Sequence, residues 1–157
     1  MRLVPVSPTD PVPARLLADY FAERAAGFPT PGGYRPATAD PAAFAHPQGV
    51  FLLLQEDDGV PLGCGGIRTI APAPEGARME VKHLYVSPAA RGRGLGRRLL
   101  EALEAAARDA GARTLVLDTN RSLQAAAGLY RAAGFVPVPP FNDNPNATDW
   151  YGKHLDG

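Results

Sequence analysis

Apolar and polar positions alternate in short blocks along the chain, and the period of each block predicts an element. Leu3-Val4-Pro5-Val6 reads as a first strand, placed at a sheet edge by its proline. Leu16, Leu17, Tyr20, Phe21 and Arg24 fall at helical spacing and predict a helix from Ala14 to Ala26, capped from Ser7 to Asp10 and ended by Gly27. Val50 to Gln55 is a continuous apolar run, a buried strand. Glu56-Asp57-Asp58-Gly59 is a hairpin turn of the Asp-Gly type, and Val60 to Ile70 returns as the next strand. Within it, Cys64-Gly65-Gly66 marks a bulge or a close backbone approach. Arg78 to Val86 makes a fourth strand and completes an antiparallel meander. Leu95, Leu99, Leu103, Ala106 and Ala110 then form one apolar helical stripe, with Glu101, Glu104, Arg108 and Asp109 on the wet side and Gly111 closing the helix. Thr114 to Asp118 is a strand, so a right-handed parallel crossover is expected. A second helix, capped by Asn120 or Ser122, carries Ala126, Leu129, Tyr130 and Ala133 and ends at Gly134. Phe135 to Val138 and Trp150 to Leu155 are the last strands, separated by a polar loop from Pro139 to Thr148. Neither repeat nor linker interrupts the pattern.

Between the fourth strand and the long helix lies Ser87-Pro88-Ala89-Ala90-Arg91-Gly92-Arg93-Gly94-Leu95-Gly96-Arg97-Arg98. Proline stops the strand, and alternating glycines let backbone N–H groups turn toward one point. The helix adds its own unpaired N–H groups and the positive end of its dipole. Such a strand–loop–helix is a receptor for a phosphate or diphosphate, with Arg91, Arg93, Arg97 and Arg98 around it. The dinucleotide fingerprint fails because Arg97 stands where its third glycine belongs, and no Gly-Lys-Ser/Thr follows to make a P-loop.

What remains, Arg91-x-x-Gly94-x-Gly96 after Leu84-Tyr85-Val86-x-Pro88, resembles the acyl-coenzyme A diphosphate loop of the GNAT acetyltransferase superfamily. Gly128-Leu129-Tyr130-Arg131-Ala132-Ala133-Gly134-Phe135 resembles that family's tyrosine helix. The resemblance covers most of the chain and is strongest from Met79 to Val138. It implies an α+β fold in one N-acetyltransferase domain spanning 1–157. In that fold a mostly antiparallel sheet of six or seven strands, splayed between the fourth and fifth, carries helices on both faces. It also implies acetyl-CoA as co-substrate, bound by Leu84, Tyr85, Val86, Arg91, Gly92, Arg93, Gly94, Leu95, Gly96 and Arg97. Many members carry an asparagine seven residues before the tyrosine. Leu123 stands there in this chain, which leaves Asn120, one helical turn earlier, as the candidate to bind the cofactor in its stead.

Composition narrows the partners. The chain has 157 residues, with 16 basic and 16 acidic side chains and a formal net charge of zero. No global field favours nucleic acid or an anionic membrane, and basic-aromatic interleaving is missing. The single cysteine, Cys64, excludes an internal disulfide and a cysteine-based metal site. The histidines His46, His83 and His154 show no ligand spacing, so no metal is expected. Prolines interrupt the N-terminus, so no signal peptide is expected, and no apolar run approaches membrane-spanning length. The expectation is a soluble cytoplasmic protein, with monomer and homodimer both open.

Acetyl transfer to an amine makes three demands. The amine must be neutral, and at pH 7 on the order of one molecule in a thousand is, given an amine pKa near 10.4. Glu80, four residues before Leu84 where relatives often carry a base, is the expected base, directly or through water; a surface carboxylate is the plain alternative. The oxyanion needs donors, which the resemblance places in backbone N–H groups around Tyr85-Val86. The leaving thiolate needs a proton, and Tyr130 corresponds to the family's acid; otherwise it is a core tyrosine. Cys64 sits in a glycine-rich strand and reads as packing rather than as a nucleophile.

For the acceptor, the proline- and glycine-rich loop from Phe28 to Pro41 is either a substrate wall or a plain connection. Tyr34, Arg35 and His83 are the substrate-binding candidates, joined by Arg68 and by Asn142 to Asn146 leading to Trp150. An arginine at the mouth favours a carboxylate-bearing acceptor, whereas the amide loop favours a polyamine, aminoglycoside or peptide amine. The expected acceptor is a small polar primary amine. The alternatives are a peptide or protein amine, and a non-catalytic acyl-CoA-binding module.

Overall fold

A computed structural model describes residues 1–156. The strands are β1 (Arg2–Pro5), β2 (Gly49–Gln55), β3 (Pro61–Ala73), β4 (Gly76–Val86), β5 (Thr114–Thr119), β6 (Val136–Pro137) and β7 (Asp149–His154). The helices are α1 (Pro11–Gly27), α2 (Leu95–Asp109) and α3 (Gln124–Ala132), and a 3-10 turn at Pro88–Ala90 precedes the glycine loop. The strands form one seven-stranded sheet in the order β1-β2-β3-β4-β5-β7-β6. Every pairing is antiparallel except β4 with β5, where α2 makes the crossover. β1 is an edge strand, as its proline requires.

β2 shows why the sheet is covered on both sides. Leu52 and Leu54 belong to one apolar cluster, and Phe51 and Leu53 to a second, so successive side chains point to opposite faces. The first cluster is built on α2 through Leu95, Leu99, Leu100, Leu103 and Ala107, and takes in Tyr130 and Phe135. The second is built on α1 through Leu16 and Leu17, together with Phe44, Cys64 and Tyr85. Gly66 has its reason here, because a Cβ would stand 2.6 Å from Phe44 and 2.8 Å from Phe51.

The β4–β5 pairing is short. It runs from Arg78↔Thr114 to Glu80↔Val116 and stops, so beyond Glu80 the two strands part. β4 is also bulged: its pairing with β3 slips between Cys64↔Tyr85 and Gly66↔Lys82, setting His83 and Leu84 opposite Gly65 alone. His83 takes φ 59°, a left-handed conformation that side-chain-bearing residues rarely adopt. Splay and bulge together open the sheet at its middle.

Several boundaries differ from the sequence expectation. α1 begins at Pro11 rather than Ala14, because a proline fits the first helical turn, where no N–H is needed. Asp10 does not cap it; its carboxylate instead accepts the backbone N–H of Ser7 at 3.1 Å. The buried stripe of α2 is rotated from the one expected. Ala110 is exposed, while Leu100 and Glu104 are buried. Glu104 is held under Arg108 at 2.8 Å and Lys153 at 2.9 Å, and Lys153 also donates to the Ala133 carbonyl at 2.8 Å. α3 starts at Gln124 with Leu123 at its N-cap, so neither Asn120 nor Ser122 caps it. β6 is two residues long, since the prolines around it leave few donors for a ladder.

Candidate active site

A cavity of about 330 Å³ occupies the opening between β4 and β5. Val81, Lys82, His83 and Leu84 line one side, and Leu117, Asp118 and Thr119 the other. Leu123 at the N-cap of α3 and Ala126 and Tyr130 within it contribute, as do Tyr20, Phe21 and Arg24 of α1, Tyr34 from the long loop, and Asn142, Asn144 and Asn146 from the loop before β7. Beyond Glu80, the edge of β4 facing this space has no strand across from it.

At the end of β4 lies the glycine loop. Gly92 and Gly94 have φ values of 82° and 72°, and a Cβ at either would meet nothing within 4 Å. Open space therefore lies where side chains would otherwise stand. The first α2 hydrogen bond runs from Arg98 N–H to the Gly94 carbonyl at 3.2 Å, so Leu95, Gly96 and Arg97 present N–H groups with no partner in the helix. That cradle suits a diphosphate. Gly96 also serves packing, since a Cβ there would come 3.3 Å from Leu129. The arginines are less free than the sequence suggests. Arg91 donates to the Val86 carbonyl at 3.0 Å and pairs with Glu23 at 2.7 Å. Arg93 pairs with Glu56 and Arg97 with Glu101, each at 3.0 Å. These pairs are exposed at the surface and hold the side chains weakly.

Glu80 does not stand where a directly acting base would. It is 1% exposed and absent from the cavity wall. Arg68 donates to it at 2.9 and 3.0 Å, Lys82 stands 3.3 Å away, and Asn142 lies at 3.4 Å. The carboxylate that does line the cavity is Asp118. It accepts from Asn142 Nδ2 at 2.7 Å and from Lys82 at 3.3 Å. Asn142 is itself oriented by Trp150 Nε1, which donates to its Oδ1 at 3.0 Å. Asp118 was missed in the sequence; its only signal was a carboxylate ending an apolar strand.

Tyr130 lines the cavity and packs against Phe135 and Tyr151. Burial raises its pKa, so the phenol keeps its proton. His83 also lines the cavity, edge-on to Phe21 and Tyr20. Burial, with Lys82 and Arg68 nearby, pushes its pKa down to about 4, which leaves the imidazole neutral at pH 7. Cys64 is fully buried and its thiol is pushed up to about 12 by burial, as befits a packing residue.

Two of the expected binding residues lie outside the cavity wall. Asn120 is absent from the cavity wall; its Nδ2 donates to the Asn146 carbonyl at 3.2 Å and its Oδ1 accepts the Ser122 N–H at 3.0 Å. Both ends of its amide are thus engaged in fastening the loop after β5 to the loop before β7. Arg35 is likewise outside the wall, and Asn146 grips its backbone by accepting its N–H at 2.9 Å and donating to its carbonyl at 2.6 Å. Tyr34 does line the cavity, with the Arg24 guanidinium 5.3 Å from its ring centre. Burial raises the Tyr34 phenol and takes Tyr20 up to about 12, with Arg24 pulling both partly back. Among the described residues no group of three potential metal ligands is found, and no helix is long and apolar enough to cross a membrane.

A sheet parted between two parallel strands, with a glycine loop and helix N-terminus at its opening, defines an acyltransferase fold. The sequence matches the Acetyltransferase (GNAT) family over residues 15–135, and the chain belongs to that family. It is 41% identical over 92 residues to the IAA acetyltransferase of Azospirillum brasilense, covering 59% of this chain and 58% of that protein. It is 34% identical over 112 residues to the L-amino acid N-acyltransferase of Escherichia coli (strain K12), covering 69% of this chain and 61% of that one. These matches thus span less than two thirds of either relative. A crystal structure of a candidate acyl-CoA N-acyltransferase from Klebsiella pneumoniae superposes with a TM-score of 0.74 at 28% identity, covering 99% of this chain and 97% of that one.

Proposed function

We propose that this acetyltransferase moves an acetyl group from acetyl-CoA to a small primary amine in a ternary complex, as a single domain and without a metal. The observation that carries the reading is the continuity of cradle and cavity. The open glycine loop sits at the end of the strand whose parted edge lines the space holding Tyr130 and Asp118. A carrier held by its diphosphate would lay its thioester along β4 at Leu84, Tyr85 and Val86.

The reaction forms a bond between the amine nitrogen and the acetyl carbon and breaks the carbon–sulfur bond. The amine gives up a proton and the departing thiolate needs one. The carboxylates take the amine's proton, with Asp118 facing the cavity and Glu80 behind it, joined through Lys82 and Asn142. Backbone N–H groups on the unpaired edge of β4 receive the developing oxyanion. Tyr130, protonated throughout the neutral range, donates to the sulfur as charge gathers there. The name of the Escherichia coli relative supports an amino-acid-sized acceptor.

The test is acetyl-CoA consumption across a panel of amines, with pH–rate profiles for D118N and E80Q. The expected result is turnover of a small amine, with kcat/KM falling roughly 100-fold in D118N, the usual scale for loss of a general base. A wild-type protein that binds coenzyme A yet turns over no amine would favour the acyl-CoA-binding module instead. Unchanged profiles in both variants would remove the carboxylates from the mechanism.

A further inference from the structure

The charges around the cavity do not cancel. Glu80 and Asp118 supply two negative charges, and Arg68 and Lys82 are matched to them at 2.9 to 3.3 Å. His83 is neutral at pH 7, its pKa lying near 4. One cation remains in the wall. Arg24 has no carboxylate within ion-pair distance among the described residues, and its nearest polar company is the pair of protonated phenols Tyr20 and Tyr34. Its Nε is buried with no hydrogen-bond partner. The guanidinium stands over the Tyr34 ring and its other donors lie close enough to the Tyr20 and Tyr34 phenols to lower the pKa of both, but Nε has no partner and no carboxylate balances the charge.

An arginine in a cavity wall with only neutral phenols for company matches a carboxylate better than any other small group, because a carboxylate supplies the missing charge and two oxygens for two parallel N–H donors. The geometry points to Arg24 as the reader of a carboxylate on the acceptor, making the preferred substrates small amino carboxylates. Such a molecule is complementary to the charges of the space. In an α-amino acid both groups sit on one carbon: the carboxylate restores neutrality at Arg24, the side chain lies against Tyr20, Phe21 and Tyr34, and the amine turns toward the part of the wall that holds Asp118. A polyamine or aminoglycoside would instead bring further positive charge toward an unpaired cation. This assignment rests on the acetyl-transfer reading for its catalytic consequence, but binding alone can test it.

The experiment compares matched ligands: free L-amino acids such as methionine and phenylalanine against their neutral-end amides, titrated calorimetrically into the wild-type protein saturated with coenzyme A. Turnover of the same pairs with acetyl-CoA is measured in parallel. Wild type should favour the acid over its amide roughly 30- to 100-fold, the scale of a charge-assisted bidentate contact. R24M should bring that ratio to within a few-fold of one, and R24K should keep part of it. The ratio within each variant is insensitive to any loss of folded protein. Equal binding of acid and amide by wild type, or binding of neither, overturns the assignment. So does an R24M protein that retains the full ratio, or one whose main defect is weaker coenzyme A binding. Selective acid binding without any turnover would sustain Arg24's role while defeating the proposed reaction.

Discussion

His83 shows how one residue's surroundings set its chemistry. It sits in the β4 bulge with positive φ, packed among Tyr20, Phe21 and Phe44, with Lys82 and Arg68 as the charged groups beside it. Its folded pKa is pushed down to about 4, against about 6.5 in an unfolded chain. Between those values the unfolded chain holds a proton that the folded protein lacks. Stability therefore falls as pH drops through 6.5 toward 4, by up to about 3 kcal/mol from this group. Asparagine tolerates the left-handed conformation and does not titrate. Urea midpoints of H83N should consequently decline less than wild type between pH 7 and pH 4.5, and an identical decline would assign the acid sensitivity elsewhere. Glu80 illustrates what one-dimensional reading misses at this scale. Its position on the fourth strand was legible, but its seclusion was not, because Arg68 reaches it across a hairpin and Asn142 from 62 residues away.

At the scale of elements, strong periodicity and glycine punctuation were legible and fine phase was not. All seven strands were anticipated, as were three helices and the break after β4. The stripe of α2 was misphased because Glu104 reads as a solvent-facing charge; only the folded chain brings Lys153 over it. Two predictions belong here. Leu99 is fully buried in the α2 cluster, so L99A should lose roughly 2–5 kcal/mol in urea unfolding. Gly94 opens α2 in the left-handed region with empty space beyond it. G94A should cost only about 1 kcal/mol of stability from the backbone strain. The methyl would intrude on the cradle, so affinity for coenzyme A by calorimetry should fall about tenfold or more, an excess over the stability loss. Matched losses in stability and affinity would mean that the loop does not touch the carrier.

Across the whole molecule, Asn146 joins distant parts of the chain. It clamps the Arg35 backbone and, through its own carbonyl, receives Asn120, so the loop from Phe28 to Pro41, the turn after β5 and the loop before β7 form one wall. Contacts 111 and 26 residues apart leave no periodic trace, and for that reason the long loop could be read equally as wall or connection. N146A leaves two backbone groups of Arg35 unanswered. Amide exchange should quicken in both loops, and KM for the amine should rise several-fold more than KM for acetyl-CoA, given about 1–3 kcal/mol per orphaned polar group. Exchange confined to one loop would show that the clamp does not couple them.

The parting of β4 from β5 separates two duties along the chain. Residues that would grip the carrier cluster in one uninterrupted stretch, whereas the residues facing its guest arrive from α1, β5 and two remote loops. Mutation can therefore retune appetite by altering α1 or either loop without disturbing the handle by which the donor is held, and a lineage built on this plan can change its diet while keeping its grip.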